Sequence, residues 1–191
     1  MTLHADALVV LRSWVPPSAQ QGVLRGRYVA HLEAHPDGLS RGCRPDHVTA
    51  STLVFSPDRE RVLLTLHAKS QRWFQFGGHT EPVDATLAGA ALREAVEESG
   101  LTAADLELDP RPVLLDEHAV PFCGNGDVHH LDVMFQAVAR DGAQHQVSEE
   151  SLDVAWWPIG ALPSEELVRF VTLAQPSTGG STRAAADQPS R

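Results

Sequence analysis

Residues Gly77–Leu101 read GGHTEPVDATLAGAALREAVEESGL, and this segment predicts a helix with recognisable ends. Thr86 can cap the start of a helix with its hydroxyl group. Gly100 can end that helix in the left-handed conformation that glycine adopts at little cost. Small and apolar side chains between them recur at helical spacing and predict a core-facing stripe of Ala88, Leu92, Ala95, Val96 and Ser99. The segment therefore predicts an amphipathic helix.

The opposite face of this helix is acidic. Glu94 is three and four residues before Glu97 and Glu98, so their Cβ atoms lie about 5–6 Å apart. We expect the small residues Ala90 and Ala91 to flank this face and leave room above it. Clustered carboxylates on a rigid element suit Mg²⁺ or Mn²⁺, which take oxygen ligands. A solvated acidic surface is the alternative.

The segment resembles the signature box of the Nudix hydrolases. The residues that match the box are Gly78, Arg93, Glu94, Glu97, Glu98, Gly100 and Leu101. The resemblance implies an α+β fold, in which a mixed β-sheet is sandwiched between helices. It also implies that Glu94, Glu97 and Glu98 bind metal with the Gly78 carbonyl, and that Arg93 orients them. The implied activity is Mg²⁺-dependent cleavage of a nucleotide, or of a nucleoside diphosphate linked to another group.

One position departs from the box. The family has a glutamate that pairs with the box arginine, and this chain has Ala85 there, with one extra residue after Gly78. Asp84 is the expected substitute partner of Arg93. Because of Ala85, a second hypothesis stays open, namely a Nudix-like domain that binds or senses a ligand without hydrolysing it. The intact glutamates favour the enzyme.

The whole chain of 191 residues has 42% hydrophobic residues, 21% charged residues and a formal net charge of −10. This acidity disfavours binding to a nucleic-acid backbone. It also repels a phosphorylated substrate, so the small phosphorylated substrate that the resemblance implies requires bound divalent cations to invert the local charge. No run of 18 apolar residues and no basic, apolar leader is present, so we expect no membrane span and no signal peptide. Two cysteines are too few for a disulfide framework. We therefore expect a cytoplasmic protein, and the resemblance allows a homodimer.

The order of patterns along the chain predicts three parts. Residues 1–45 form a helical extension of two helices, residues 46–174 form the Nudix domain, and residues 175–191 form a disordered tail. The strand candidates are 48–55, 61–67, 73–76, 113–120, 128–139 and 154–157. Residues 102–110 are predicted to be a loop with alternating acids, residues 123–126 a tight turn, and residues 164–174 a final helix.

Further site residues come from the segments around the box. The resemblance implies that either a box carboxylate or a glutamate from a later loop takes the proton of the attacking water. The loop candidates for base or extra metal ligand are Glu149 and Glu150, with Glu117 next, and we select Glu149. The candidates for binding substrate are His79, Lys69, Arg72 and Asp132. Solvated charges and structural histidines are the alternatives. Of the 10 histidines, none has the spacing of a zinc motif, although His67, His79, His118, His129 and His130 could line the pocket.

Overall fold

The computed structural model describes residues 1–120, 128–147 and 151–175. The helices are α1 (Leu3–Ser13), α2 (Ala19–Ala34), α3 (Leu87–Ser99) and α4 (Glu165–Ala174). The strands are β1 (Asp46–Phe55), β2 (Arg61–His67), β3 (Trp73–Phe74), β4 (Phe76–His79), β5 (Leu106–Ala119), β6 (His129–Ala139) and β7 (Ser151–Pro158). Short 3₁₀ turns occur at Ala103–Asp105 and Ile159–Ala161. The predicted α+β class is confirmed.

Strand β1 lies at the centre of a mixed sheet. It pairs in parallel with β6 along its whole length, from Asp46 opposite His129 to Phe55 opposite Val138. On its other side, its middle residues Thr49 to Thr52 pair antiparallel with β4 and its last two residues pair with β2. Strand β5 extends the sheet beyond β6, while β3 and β7 both pair with β2. This topology places the glycines of β4 directly beside the central strand.

Helices cover both faces of this sheet, which confirms the predicted layers. One face packs against α1, α2 and α3 in a core that includes Leu11, Tyr28, Leu87 and Phe135. The other face packs against α4, where Phe170 meets residues of β1 and β2. Burial of large apolar side chains on two faces supplies most of the favourable free energy of folding.

Polar contacts connect the two N-terminal helices to the rest of the molecule. The Asp6 carboxylate accepts a hydrogen bond of 2.8 Å from the backbone N–H of Leu87, at the first turn of α3. The Gln21 amide pairs with both backbone groups of Leu115 in β5. The Tyr28 hydroxyl donates to the carbonyl of Asp116 at 2.7 Å. Helices α1 and α2 therefore share one core with the sheet and support α3.

The prediction of a loop over residues 102–110 is wrong. Strand β5 already begins at Leu106 and pairs with β6 up to Asp109. The pairing register then shifts between Asp109 and Leu114, a segment that contains Pro110 and Pro112. Because proline cannot donate to a strand ladder, the irregularity coincides with the prolines. The alternating leucines and acids at residues 106–109, before the prolines, therefore indicate a strand and not a loop.

The other strand predictions differ mainly at their ends. The segment 73–76 is divided into β3 and β4, and β4 continues to His79. The predicted turn at residues 123–126, the carboxylates Glu149 and Glu150, and the tail beyond residue 175 lie outside the described residues. Within the described part of the chain, no helix is long and apolar enough to cross a bilayer.

Candidate active site

Helix α3 is capped as its sequence predicts. The Thr86 hydroxyl accepts a hydrogen bond of 3.0 Å from the backbone N–H of Gly89. Gly100 follows the last turn with φ of 70°, in the left-handed region, and its N–H donates to the carbonyl of Val96. A side chain at this φ is strained, so glycine suits the position. Both ends of the helix therefore follow from local chemistry.

The buried face of α3 is rotated relative to the predicted stripe. Its buried residues are Leu87, Ala90, Ala91, Ala95 and Ser99. The expectation that Ala90 and Ala91 leave room above the glutamates is wrong, because both are fully buried in the core shared with α1 and α2. Ala88, Leu92 and Val96 are only partly buried. Packing of the N-terminal helices, which the box itself does not encode, selects this orientation.

Strand β4 approaches α3 closely through its two glycines. The N–H of Gly77 donates to the Glu98 carboxylate at 3.1 Å. A Cβ atom on Gly78 would lie 2.8 Å from the carboxylate carbon of Glu94, whereas one on Gly77 would lie 2.4 Å from Cβ of Ser51. A Cβ atom on Gly77 would also meet the backbone of β1, whereas one on Gly78 would meet only the flexible carboxylate of Glu94, so Gly77 is the stricter requirement for glycine. The contacts place the backbone of β4 beside two of the three glutamates.

Arg93 connects the loop before α3 to the glutamates. Its Nε donates to one oxygen of Asp84 at 3.1 Å and its Nη2 donates to the other at 3.0 Å. Its Nη1 donates to Glu94 and Glu97 at 3.0 Å each. The Nη2 also donates to the carbonyl of His79 at 2.9 Å. All five N–H donors of the guanidinium group are used, and Asp84 is the partner expected in place of the missing box glutamate.

The electrostatics of this site favour a bound cation. Residues 77–101 carry five carboxylates and one guanidinium group, a formal charge of −4. Burial raises the pKa of Glu94, and the charge of Arg93 opposes this shift. The hydrogen bonds to Asp84 raise the pKa of Arg93 despite its partial burial. The Glu94 side chain is 15% exposed and that of Glu97 is 57% exposed, so this cluster of hard oxygen donors can be reached from solvent and suits a divalent cation.

His79 lies on the opposite face of β4 from Gly78, because side chains alternate along a strand. Its Nε2 is 3.1 Å from Nε2 of His47 in β1. Its ring centroid is 4.8 Å from that of His130 in β6. Burial and the neighbouring His47 lower the pKa of His79 to about 4, and burial and its histidine neighbours lower that of His130 to about 3. Burial also lowers the pKa of His47, so all three imidazoles are neutral at physiological pH. Binding of phosphate by His79 stays a prediction.

Asp132 lies beyond these histidines on the same face of β6. Asp132 is 3% exposed. Its carboxylate accepts a hydrogen bond of 3.0 Å from the hydroxyl group of Thr49 and another from that of Ser51. Burial raises its pKa, although the hydroxyl groups and a nearby histidine act in the opposite direction. Both carboxylate oxygens thus have protein partners, and contact with substrate stays a prediction.

A second buried carboxylate, Asp116 in β5, joins the sheet to α4. It accepts hydrogen bonds from Arg169 and from Nδ1 of His118, the latter at 3.0 Å. Burial acts to raise the pKa of Asp116, but the hydrogen bonds from these two partners hold it below its usual value. The arrangement fixes the position of α4 over this face of the sheet.

The structure does not bring the other predicted residues to the glutamates. Arg72 lies over the ring of Phe74 and 3.5 Å from Glu166 of α4. Lys69 is exposed in the turn between β2 and β3. Glu117 pairs with Arg27 of α2. Roles of Lys69 and Arg72 in binding substrate stay predictions, and the pairing of Glu117 indicates a structural role.

Two residues of this region were missed by the sequence analysis, namely His47 and Asp116. Alternation could have found His47, because His47, Thr49 and Ser51 lie on one face of β1. The pattern of β6 was visible in the sequence, and it places His130 and Asp132 on one face. Nothing in the sequence showed that β1 and β6 are parallel neighbours, which brings these side chains together.

Comparison with known proteins identifies the domain. A family profile described as the NUDIX domain matches residues 45–173. A comparison with curated protein sequences finds no match.

Solved structures share the fold at low identity. An Ap4A hydrolase from C. elegans has a TM-score of 0.54 and 16% identity, covering 66% of this chain and 93% of that one. A NUDIX-family hydrolase from Clostridium perfringens has a TM-score of 0.52 and 22% identity, covering 67% and 95%. The NUDIX domain of Shewanella oneidensis NrtR, complexed with ADP ribose, has a TM-score of 0.52 and 18% identity, covering 71% and 90%. These likenesses concern the fold alone.

Proposed function

Because the chain belongs to the Nudix family and is a Nudix-type hydrolase of phosphoanhydride bonds, we propose that it depends on Mg²⁺ or Mn²⁺. We further propose that it cleaves a nucleotide, or a nucleoside diphosphate linked to another group, and releases a monophosphate or pyrophosphate. The observation that carries the proposal is the acidic face of α3, where Glu94 and Glu98 lie against the backbone of β4 and Glu97 is held by Arg93, the one cation of residues 77–101.

The residues of the site have different proposed roles. Glu94, Glu97, Glu98 and the carbonyl of Gly78 would hold the metal. When bound, a divalent cation lowers the pKa of a water molecule and neutralises charge on the phosphate groups. Arg93 holds Glu94 and Glu97 through its hydrogen bonds. Glu149, outside the described residues, remains the predicted base for the attacking water.

The alternative of a ligand-binding domain without hydrolysis loses its main support. It depended on Ala85, which leaves the box arginine without its usual partner. The two hydrogen bonds from Arg93 to Asp84 supply that partner from the preceding residue. The loop before α3 is therefore held by an equivalent ion pair, and this supports a competent hydrolase.

A panel of phosphorylated compounds tests the proposal. It includes nucleoside triphosphates, ADP ribose and Ap4A, since the last two are named with structures of similar fold. We expect phosphate, pyrophosphate or monophosphate release from one class in the presence of Mg²⁺ or Mn²⁺, and none in EDTA. A ligand that raises the melting temperature without being cleaved would favour the binding domain instead.

Two matched variants test the role of the acidic face. We expect Glu98→Gln to lower metal-dependent turnover by about 100-fold or more, since it removes a proposed metal ligand and keeps the shape of the side chain. Glu107→Gln, on the exposed edge of β5, is the control and should retain full activity. Full activity of Glu98→Gln would contradict the assignment.

Three predictions about the whole protein remain. We propose that residues 46–174 are the Nudix domain and that residues 1–45 are its helical extension, while the predicted tail lies outside the described residues from residue 176 onward. We also propose a cytoplasmic location and a homodimer. Light scattering of the purified chain would decide its oligomeric state.

A further inference from the structure

Three imidazole rings meet on the face of the sheet opposite α3. They come from three adjacent strands, His47 from β1, His79 from β4 and His130 from β6. One ring nitrogen from each lies within 4.8 Å of the other two. The ring centroids of His47 lie 5.0 Å from His79 and 4.9 Å from His130. This cluster is separate from the glutamates, because Gly78 faces Glu94 while His79 points to the other side of β4.

The hydrogen bonds of His47 determine which of its nitrogens can bind a ligand. Its Nδ1 is 3.3 Å from the backbone carbonyl of Cys43. A carbonyl only accepts hydrogen bonds, so Nδ1 carries the proton in the neutral ring. Nε2 then presents a lone pair toward His79. A carbonyl partner on the far nitrogen is the usual way in which a protein orients a metal-binding histidine.

The three rings cannot satisfy one another by hydrogen bonds alone. The contact of 3.1 Å between Nε2 of His79 and Nε2 of His47 accommodates one N–H donor and one acceptor. Nε2 of His130 is buried and has no hydrogen-bond partner among the described residues. Buried polar atoms without a partner are uncommon and need an explanation. One cation among the three lone pairs would satisfy all three rings.

The donor set selects a particular class of metal. Neutral imidazole nitrogens favour Zn²⁺ and similar transition metals, whereas carboxylates favour Mg²⁺ and Mn²⁺. Zinc binds histidine nitrogen at about 2.0–2.1 Å, so its ligands lie roughly 3.4 Å apart. The separation of 3.1 Å between Nε2 of His47 and Nε2 of His79 is near this value, and all three ring nitrogens lie within 4.8 Å of one another, a gap that rotation of the side chains can close. His79 and His130 are partly exposed, which leaves a fourth position open to water or a ligand.

We propose that His47, His79 and His130 form a second metal site, which binds one Zn²⁺ ion and is distinct from the site of the three glutamates. The pairing of β1 with both β4 and β6 builds this site. It does not depend on the proposed hydrolysis, and the protein can bind zinc there whatever its substrate.

The test measures metal binding directly. Full-length protein is stripped with EDTA, and binding of Zn²⁺ is followed by calorimetry in excess Mg²⁺, which occupies the oxygen site. We expect one equivalent of Zn²⁺ per chain. Co²⁺ in its place should give the visible absorption of a tetrahedral site with nitrogen ligands. Absence of Zn²⁺ binding, or a Co²⁺ spectrum typical of six oxygen ligands, would overturn the proposal.

Variants locate the site. We expect His130→Ala and His79→Ala each to weaken Zn²⁺ binding by at least about 100-fold, since loss of a ligand exceeds the 10–100-fold cost of losing an outer partner. His129→Ala is the matched control, because His129 neighbours His130 in β6 but pairs with Asp46. It should bind Zn²⁺ normally, as should Glu98→Gln.

The outcomes separate the two metal sites. Loss of zinc from Glu98→Gln with retention in both cluster variants would assign the ion to the glutamates and refute the cluster. Loss of Zn²⁺ binding in His129→Ala as well would show that binding is not specific to the three-histidine cluster. Far-UV circular dichroism checks that each variant is folded. If the cluster variants do not fold, X-ray absorption spectroscopy of the wild-type zinc complex gives the ligands of the ion. A coordination shell without three imidazole nitrogens would contradict the proposal.

Discussion

The pair formed by Arg93 and Asp84 allows a quantitative prediction. Asp84→Ala removes two hydrogen bonds from a charged donor, of 3.1 and 3.0 Å. The Asp84 side chain is 5% exposed and that of Arg93 is 17% exposed, so solvent screens this pair less than a surface salt bridge. Each such bond contributes about 1.5–3 kcal/mol. Because Arg93 keeps its other acceptors, we expect a total loss of about 2–3 kcal/mol.

Denaturation measures this loss. For a domain of this size, 1 kcal/mol corresponds to about 2–4 °C in melting temperature, so Asp84→Ala should melt about 4–12 °C lower. Urea titration followed by circular dichroism gives the free energy of unfolding independently. Asp141→Ala, in the exposed turn after β6, is the control and should change stability by less than about 0.5 kcal/mol.

A second substitution tests whether the position of the carboxylate matters. Asp84→Ala combined with Ala85→Glu restores a carboxylate where the family box has one. We expect the double variant to recover part of the lost stability and turnover, because Ala85 is exposed and its neighbour already reaches Arg93. A change of less than about 0.5 kcal/mol in the Asp84→Ala variant would refute the role of the pair, as that is the scatter of ordinary surface substitutions.

Three further predictions concern the glycines and the buried carboxylate. Gly77→Ala should lower the free energy of unfolding by about 2–3 kcal/mol in urea titration, because its Cβ would overlap Ser51 and the backbone of β1. Gly78→Ala should leave the melting temperature nearly unchanged but lower metal-dependent turnover at least about 10-fold, because its Cβ displaces the flexible Glu94 carboxylate. Asp116→Asn should destabilise the protein at pH 7, and the difference from wild type should shrink below about pH 4 in urea titrations at several pH values.

The sign of the last prediction follows from linkage. The pKa of Asp116 is lower in the folded protein than its usual value. Its ionised form therefore adds stability above the unfolded pKa, and this contribution is lost as the pH falls through the folded pKa. A difference that is constant between pH 7 and pH 3 would contradict this account. For the glycines, equal melting temperatures of Gly77→Ala and wild type would contradict the predicted overlap.

The local features of α3 were predictable because they depend on neighbouring residues. Thr86 and Gly100 cap the helix through contacts within one turn. The partner of Arg93 was also predictable, since Asp84 precedes the helix by a short loop. The orientation of the buried face was not, because α1 and α2 cover Ala90 and Ala91. A helix with small residues on several faces can bury any one of these faces. Only tertiary packing selects the face that is buried.

The strands could also be predicted only in part, because their pairing depends on distant segments. Alternation in β6 was visible and correctly places His130 and Asp132 on one face. The start of β5 was mistaken for a loop, because acids and prolines outweighed the leucines that pair with β6. The direction of His79 follows from its position after Gly78 in β4, but its neighbours come from other strands. The sequence of one segment does not show which distant segment it pairs with.

Local sequence was enough to predict the capped acidic helix, the glycines that precede it and the family to which the domain belongs. These features rest on hydrogen bonds and steric limits between residues close in the chain. The position of β1 between β4 and β6 is visible only in the folded chain, and it brings His47, His79 and His130 together. Strand order depends on how the whole hydrophobic surface is buried, and that is a property of the complete chain.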